Sequence, residues 1–372
     1  MTALEAGDRR DDTKWTLVVP CAAPLDRSTD AKPKWLLTAP DGELLVMRAI
    51  ASIPRRHIKR IVIAFLQEAE DRYRCTEAFR RTGDELVECV ILDKATDGPA
   101  QTARIVLDRA EVEGPVCIKD GGSFFELSDL PESSFLAIAD VRGMSSLSSP
   151  GRKSYVRLNE NGMICEVVEK DVRSNLVSVG LYGFDSAAMY VREYDRLSRS
   201  AGQAPCYVSH VAASAILNGD IFLPCFCQRM VAISTQADWA AYRGAAATLV
   251  LNIDGVIFRS QSKYFPPYWG DEAEPITENV LHLLRLQRSG AQLVFMTARP
   301  ESFRDSTLTA LRQLGFIVHA LVMNCFHATR YLVSDYSPEN LFPSAVAINV
   351  PGNTVQLSSL LLPNHTAADQ DI

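Results

Sequence analysis

Thr248-Leu-Val-Leu-Asn-Ile-Asp-Gly-Val-Ile-Phe258 is an apolar run that breaks at an aspartate-glycine pair. Its aliphatic and β-branched residues favour a strand, and Asp254-Gly255 favours a tight turn. The strand then ends at Asn252, with Asp254 just beyond it. Open α/β sheets bind ligands at such strand ends. The residues that follow repeat the pattern. Gln292–Met296, Val318–Leu321, Tyr331–Val333 and Val346–Asn349 read as further strands, and Ile276–Arg288 has helical apolar spacing with a stop at Ser289-Gly290. A small α/β domain is therefore predicted over 248–352, with a tail at 353–372.

Upstream, β-rich runs alternate with helical stretches over 15–242, which implies a mainly parallel sheet covered by helices. The predicted strands include Thr16–Pro20, Ile61–Phe65, Cys89–Leu92, Val116–Lys119 and Phe135–Asp140. Tyr155–Leu158, Ile164–Glu169 and Val177–Phe184 follow closely, the first two separated by Asn159-Glu-Asn-Gly162, which predicts a hairpin insertion. The small residues at 243–247 are expected to be a linker, and 1–14 a disordered leader.

The chain of 372 residues is long enough for about two domains. A net charge of −7 argues against binding nucleic acid by phosphate neutralisation. The basic cluster Arg55–Arg60 reads as a solvated lead-in to a strand. Nine scattered cysteines, mostly inside apolar runs, indicate reduced buried thiols in a cytoplasmic protein, and Cys225-Phe-Cys227 lacks the further ligands a zinc site needs. No stretch has the length and apolarity to cross a bilayer.

Asn252, Asp254, Thr297 in Phe295-Met-Thr-Ala-Arg-Pro300, Arg330 and Asp335 in Leu332-Val-Ser-Asp335 lie at successive predicted strand ends or just after them. Their order and spacing resemble the haloacid dehalogenase (HAD) phosphohydrolases. The resemblance implies a nucleophilic aspartate at 252, phosphate contacts from Thr297 and Arg330, and a magnesium-binding role for Asp335. Asn252 stands where the nucleophile belongs, and an amide is a poor nucleophile because its nitrogen lone pair is delocalised. Phosphatase turnover is not expected. Phosphate binding is.

Leu17-Val-Val-Pro20, then Cys21-Ala-Ala-Pro-Leu-Asp-Arg27 and Lys32-Pro-Lys34, resemble the start of the sugar-1-phosphate nucleotidyltransferases. That family resemblance implies phosphate contacts from Arg27 and Lys34, although Ala23 and Leu25 stand where glycines would let the backbone approach a nucleotide. Gly98-Pro-Ala-Gln-Thr102 is similar to the segment beside the base. Glu169-Lys170 and Gly180 fit the strands that face the sugar phosphate. The family clamps magnesium between two carboxylates. Here Gly122, in Ile118-Lys-Asp-Gly-Gly-Ser-Phe-Phe125, and Ala232, in Val231–Trp239, fall at those two positions, with Asp120 as a substitute ligand.

The implied fold class is α/β: a nucleotidyltransferase-like domain, Rossmann-like with a mixed sheet, plus a smaller HAD-like Rossmannoid domain. Two functions stay open. One is a catalytically degenerate protein that binds a nucleotide or phosphorylated sugar in bacterial surface-polysaccharide biosynthesis, partnered by a second copy or an active relative. The other is an active Mg2+-dependent nucleotidyltransferase whose metal is held by Asp120 with Asp140 or Glu169.

Overall fold

The computed structural model describes residues 14–25, 32–143, 150–200, 206–260, 274–288, 290–335 and 345–361. The leader up to residue 13, Arg27 and the tail from 362 lie outside them. The chain divides into two compact units, Met1–Ser234 and Thr235–Ile372.

In the first unit, β1 (Trp15–Pro20) leads through α1 (Leu45–Ala51) to β2 (Ile58–Leu66), then through α2 (Gln67–Tyr73) and α3 (Cys75–Arg80) to β3 (Val87–Leu92). Helix α4 (Pro99–Arg109) connects to β4 (Val116–Lys119), and β1 to β4 form a parallel block in the order β4-β1-β2-β3. Each strand is a nearly unbroken apolar run because helices cover both faces of a sheet of this type. Val18, Ile61, Val62, Ile63 and Cys117 have no measurable exposure.

The rest of the unit turns this block into a mixed sheet. Strand β5 (Ser123–Glu126) leaves it, β6 (Phe135–Asp140) returns to the sheet, and β7 (Ser154–Leu158) and β8 (Ile164–Glu169) form a hairpin that joins the sheet through β7. The long strand β9 (Leu176–Phe184) runs antiparallel to both β4 and β6. Helices α5 (Ala187–Ser200) and α6 (Val208–Leu217) precede β10 (Leu223–Phe226), which extends the sheet beyond β6. Strand β11 (Gln228–Ala232) pairs with β5 apart from the main sheet. The expected strands and the 155–169 hairpin form. The basic lead-in to β2 is a set of surface ion pairs, with Arg56 on Asp129 and Arg60 on Glu88. All nine cysteines are free.

The second unit begins with α7 (Gln236–Ala245), so the expected linker at 243–247 begins within the end of a helix and the division falls at Ser234. Three parallel strands follow, β12 (Thr248–Asn252), β13 (Gln292–Met296) and β14 (Ala320–Val322), in that order, with α8 (Thr277–Arg288), α9 (Arg304–Gln313) and α10 (Leu357–Leu360). Leu251, Ile253, Leu283, Leu293, Phe295 and Leu311 form the core of this unit. Tyr331–Val333 and Val346–Asn349, predicted as strands, are not strands, and Tyr331 and Val333 are almost fully exposed. Strand propensity fits a side chain to a half-buried pleated surface. Neither segment has a ladder partner among the described residues to provide that surface.

Candidate functional site

The C-terminal ends of β1 and β4 and the middle of β9, at Ser178, Val179 and Gly180, open into a cleft of about 1070 Å3. Its floor is the turn Asp120-Gly-Gly-Ser123 between β4 and β5. Lys119, the last residue of β4, is completely buried, and its ammonium donates to the Asp120 backbone oxygen (2.8 Å), Asp120 Oδ1 (2.9 Å) and Ser123 Oγ (2.8 Å). Asp120 Oδ1 also accepts from the amides of Gly122 (3.2 Å) and Ser123 (3.0 Å) and from Ser123 Oγ (2.7 Å). Burial pulls the Lys119 pKa below its usual value. Burial would raise the Asp120 carboxyl, but the Lys119 charge and the Ser123 hydroxyl outweigh it and hold that carboxyl below the ordinary range.

Gly180 is required opposite this turn. Its φ is +80°, and a Cβ there would lie 1.8 Å from Asp120 Oδ2. Strand pairing brings Gly122 and Ala232 together: Ala232 faces Ser123 across β5 and β11, and the Ile233 amide donates to Gly122 O at 2.8 Å. A Cβ on Gly122 would lie 2.4 Å from Lys34 Nζ. The lysine tip therefore rests directly on the glycine. Lys34 opens the 3-10 turn Lys34–Leu36, whose Trp35 is buried and stacks on Phe65 (5.8 Å) and Phe79 (6.2 Å).

The other walls carry the remaining first-unit residues singled out from the sequence. Thr102, buried in the first turn of α4, spends its hydroxyl on Gly98 O (3.2 Å) and on Thr96 Oγ1 (2.7 Å). Glu169 Oε2 accepts from the hydroxyls of Ser154 and Ser209. Lys170 has its ammonium on the Tyr207 hydroxyl and 4.2 Å above the Tyr207 ring. Asp140 does not line the cleft. It is paired with Arg142, whose hydrogen bonds pull its carboxyl down to about 2.

A divalent cation such as Mg2+ needs several anionic oxygens free to converge on it. Among the described residues no group of three or more Asp, Glu, His or Cys side chains is arranged to hold a metal. Of the three carboxylates that line the cleft, Asp97, Asp120 and Glu169, the last two are engaged as described above. The donor set does not fit the ion.

A second, smaller pocket of about 370 Å3 lies in the second unit, against Asn252, Asp254, Ala298, His327 and Arg330. Asn252 Nδ2 donates to Asp254 O (2.6 Å), and Arg330 Nη1 donates to Asn252 Oδ1 (3.0 Å). Thr297 Oγ1 donates to Asp254 Oδ2 at 2.9 Å. Asp254 is also gripped by buried Arg299, whose Nη2 lies 2.6 Å from Oδ1 and whose Nε lies 3.2 Å from both carboxylate oxygens. Asn252, Asp254, Thr297 and Arg330 thus converge. Asp335 is exposed and does not line the pocket. Sequence reasoning passed over Lys119 and Arg299. The signals were there: a lysine closing the all-apolar run Val116-Cys-Ile118, and an arginine two residues past Thr297.

No protein-family description matches the chain, and no curated protein does. Among solved structures, the nucleoside-diphosphate-sugar pyrophosphorylase of Vibrio cholerae RC9 is similar with a TM-score of 0.52 at 16% identity, over 61% of this chain and 99% of that one. The inositol-1-phosphate CTP transferase of T. maritima is similar with a TM-score of 0.48 at 20% identity, over 60% of this chain and 91% of that one. At 16% identity the first of these likenesses shows the fold alone. The chain contains a nucleotidyltransferase-like α/β fold with a parallel-rich mixed sheet.

Proposed function

We propose that the first unit binds a nucleotide or a phosphorylated sugar in its cleft and does not turn it over. The observation that carries this reading is that Gly122 and Ala232 come together, because Ala232 faces Ser123 across β5 and β11 and the Ile233 amide donates to Gly122 O. Two separate motifs each lack a carboxylate, and their positions meet at one spot on the cleft floor. Nucleotidyl transfer needs a cation to clamp the phosphates while pyrophosphate leaves. With Asp120 tied to Lys119, that spot offers no anionic clamp for one.

The second unit fits the same reading. Its pocket presents the Arg330 guanidinium beside Asn252, a donor set that suits a phosphate group and supplies no anionic nucleophile. The fusion of a transferase-like unit with a HAD-like one supports a role in surface-polysaccharide biosynthesis, assisting or regulating an active relative.

The test uses the purified full-length chain. Nucleoside triphosphates and sugar 1-phosphates, offered in pairs with Mg2+, are expected to raise its melting temperature without release of pyrophosphate. Pyrophosphate release well above a no-protein control, abolished by Asp120→Asn, would establish the active Mg2+-dependent transferase instead.

A further inference from the structure

We infer that the pocket of the second unit takes a nucleoside monophosphate, with the phosphate against Arg330 and the base stacked on Phe326. The inference rests on the phosphate-binding role proposed above for this pocket and adds what the phosphate carries. Three observations support it.

The first is an uncovered aromatic ring on a fixed root. Phe326 lines the pocket, is 88% exposed, and makes no ring contact among the described residues. The backbone before it is tied down. Thr297 N donates to Val322 O (2.9 Å), Asn324 N to Arg299 O (3.0 Å) and Cys325 N to Thr297 O (3.0 Å). Asn324 turns the chain at φ +58°, a left-handed value that asparagine tolerates, and its side-chain oxygen accepts from the Glu301 amide at 3.1 Å. A single exposed aromatic is ordinary on a protein surface. One that lines a pocket with convergent polar groups offers a stacking face.

The second is the division of the lining. Asn252, Asp254 and Arg330 gather at the end of β12. Asn252 bridges Asp254 O and Arg330, while the Asp254 carboxylate is taken by Thr297 and Arg299. Arg330 spends one N–H on Asn252, which leaves the rest of its fork for a phosphate. Ala298, Ala328, Phe326 and His327 make up the rest of the lining, two methyl groups and two rings. A sugar phosphate would set its hydroxyls against methyl groups and a phenyl ring, and polar groups buried without partners are costly. A nucleobase presents a flat face that these groups suit.

The third is reach and size. Residues 326 and 330 are four positions apart, so their Cα atoms lie within about 14 Å of each other. A ribose and the two side chains bridge that gap. The pocket volume of about 370 Å3 is near the lower end for small-molecule sites, which suits one nucleotide. With Asn252 in place of a nucleophilic carboxylate, the phosphate ester stays intact.

Calorimetric titration of the full-length chain with AMP, GMP, CMP and UMP, and with ribose 5-phosphate, tests this. Ribose 5-phosphate keeps the sugar and the phosphate and lacks the base. The second-unit component of binding is the one lost in Arg330→Gln, and heat that this variant retains belongs to the first unit. For the second-unit component, at least one nucleotide is expected to bind about fivefold or more tightly than ribose 5-phosphate, the least that a base stacked on an aromatic side chain contributes. Phe326→Ala is expected to abolish that preference and leave ribose 5-phosphate binding unchanged, and Phe326→Trp to keep it. Phe326 and Arg330 are both exposed, so these variants keep the wild-type melting temperature. Equal affinity for nucleotides and ribose 5-phosphate in the component that Arg330→Gln removes, or a preference that survives Phe326→Ala, overturns the inference and leaves the phosphate-binding role standing. The absence of any component sensitive to Arg330→Gln overturns both.

Discussion

Asp120→Ala separates a structural carboxylate from a metal ligand, because the two roles predict opposite effects on the unliganded protein. A carboxylate waiting for a cation is surrounded by other acids, so its removal relieves repulsion and leaves stability unchanged or higher. Here Asp120 faces the completely buried Lys119 ammonium at 2.9 Å. Deleting one partner of a buried pair costs about 3–5 kcal/mol, since the other charge stays in the interior uncompensated. Asp120 is itself about half exposed, at 54%, and Lys119 retains the backbone oxygen of residue 120 and Ser123 Oγ. The lower bound, about 3 kcal/mol, is therefore expected. For a unit of this size that is a fall of roughly 6–12 °C in melting temperature. The double change Lys119→Met with Asp120→Asn is expected to recover most of it, because it removes both charges.

The acid limb has a definite sign. The folded pKa of Asp120 is depressed, so its stabilisation is fully present above the ordinary carboxylate value of 3.8 and is lost as pH falls through the lower folded value. In Asp120→Ala that part of the acid-induced loss is absent. Thermal denaturation followed by tryptophan fluorescence, repeated between neutral pH and pH 2, reads both effects. An unchanged melting temperature in Asp120→Ala at neutral pH would refute the reasoning.

Three other substitutions have defined outcomes. Gly180→Ala forces a Cβ onto Asp120 Oδ2 at a backbone φ of +80°, so it is expected to destabilise the first unit by more than the ~1 kcal/mol typical of that conformation, measured by urea denaturation. Arg299→Gln strips the two-pronged clamp from Asp254 and is expected to cost the second unit about 3 kcal/mol, while Arg299→Lys restores little because one ammonium cannot reproduce the fork. Asn252→Asp is expected to leave hydrolysis of p-nitrophenyl phosphate at background. It replaces the amide that donates to Asp254 O with an anion, beside an Asp254 held by Arg299 and without Asp335 in the pocket. Measurable turnover would show that these groups rearrange when a substrate arrives.

The parallel block was readable because its strands are mostly apolar runs, buried on both faces in β1 and β4 and through most of β2, a local property of the chain. The short strands β5, β10 and β11 were not. Ser123–Glu126 and Gln228–Ala232 mix polar and apolar residues, and they become strands only by pairing with each other across about a hundred residues. Tyr331–Val333 shows the converse, with strong β-formers left exposed because no partner lies alongside among the described residues. The site divides in the same way. That Gly122, Ala232 and Asn252 stand where the resemblance expects acids is a reading of local patterns alone. The partners were not legible there, since Arg299 meets Asp254 across 45 positions and nothing in either segment names the other.

On the proposed reading, the small residues at 122 and 232 and the position of Lys34 belong together. Without Lys34, a floor with no acid at 122 or 232 would be a neutral hollow, able to hold neither a metal nor an anion strongly. Had Lys34 come to rest there with an acid at 122 in place, the two would pair and cancel, and an incoming phosphate would have to break that pair. With glycine and alanine at these positions, the ammonium reaches the spot sterically, makes no hydrogen bond or ion pair among the described residues, and is felt by the nearby Asp120 carboxylate. Restoring one carboxylate therefore does not rebuild a magnesium site. The side chain introduced by Gly122→Asp meets the lysine tip before any ion from solution, at a distance where opposite charges attract by several kcal/mol even in a polar protein environment of effective dielectric about 20. Recovery of metal dependence is expected only when Gly122→Asp and Ala232→Asp are combined with Lys34→Gln, and a metal-dependent gain in pyrophosphate binding from Gly122→Asp alone would show that the lysine yields its place.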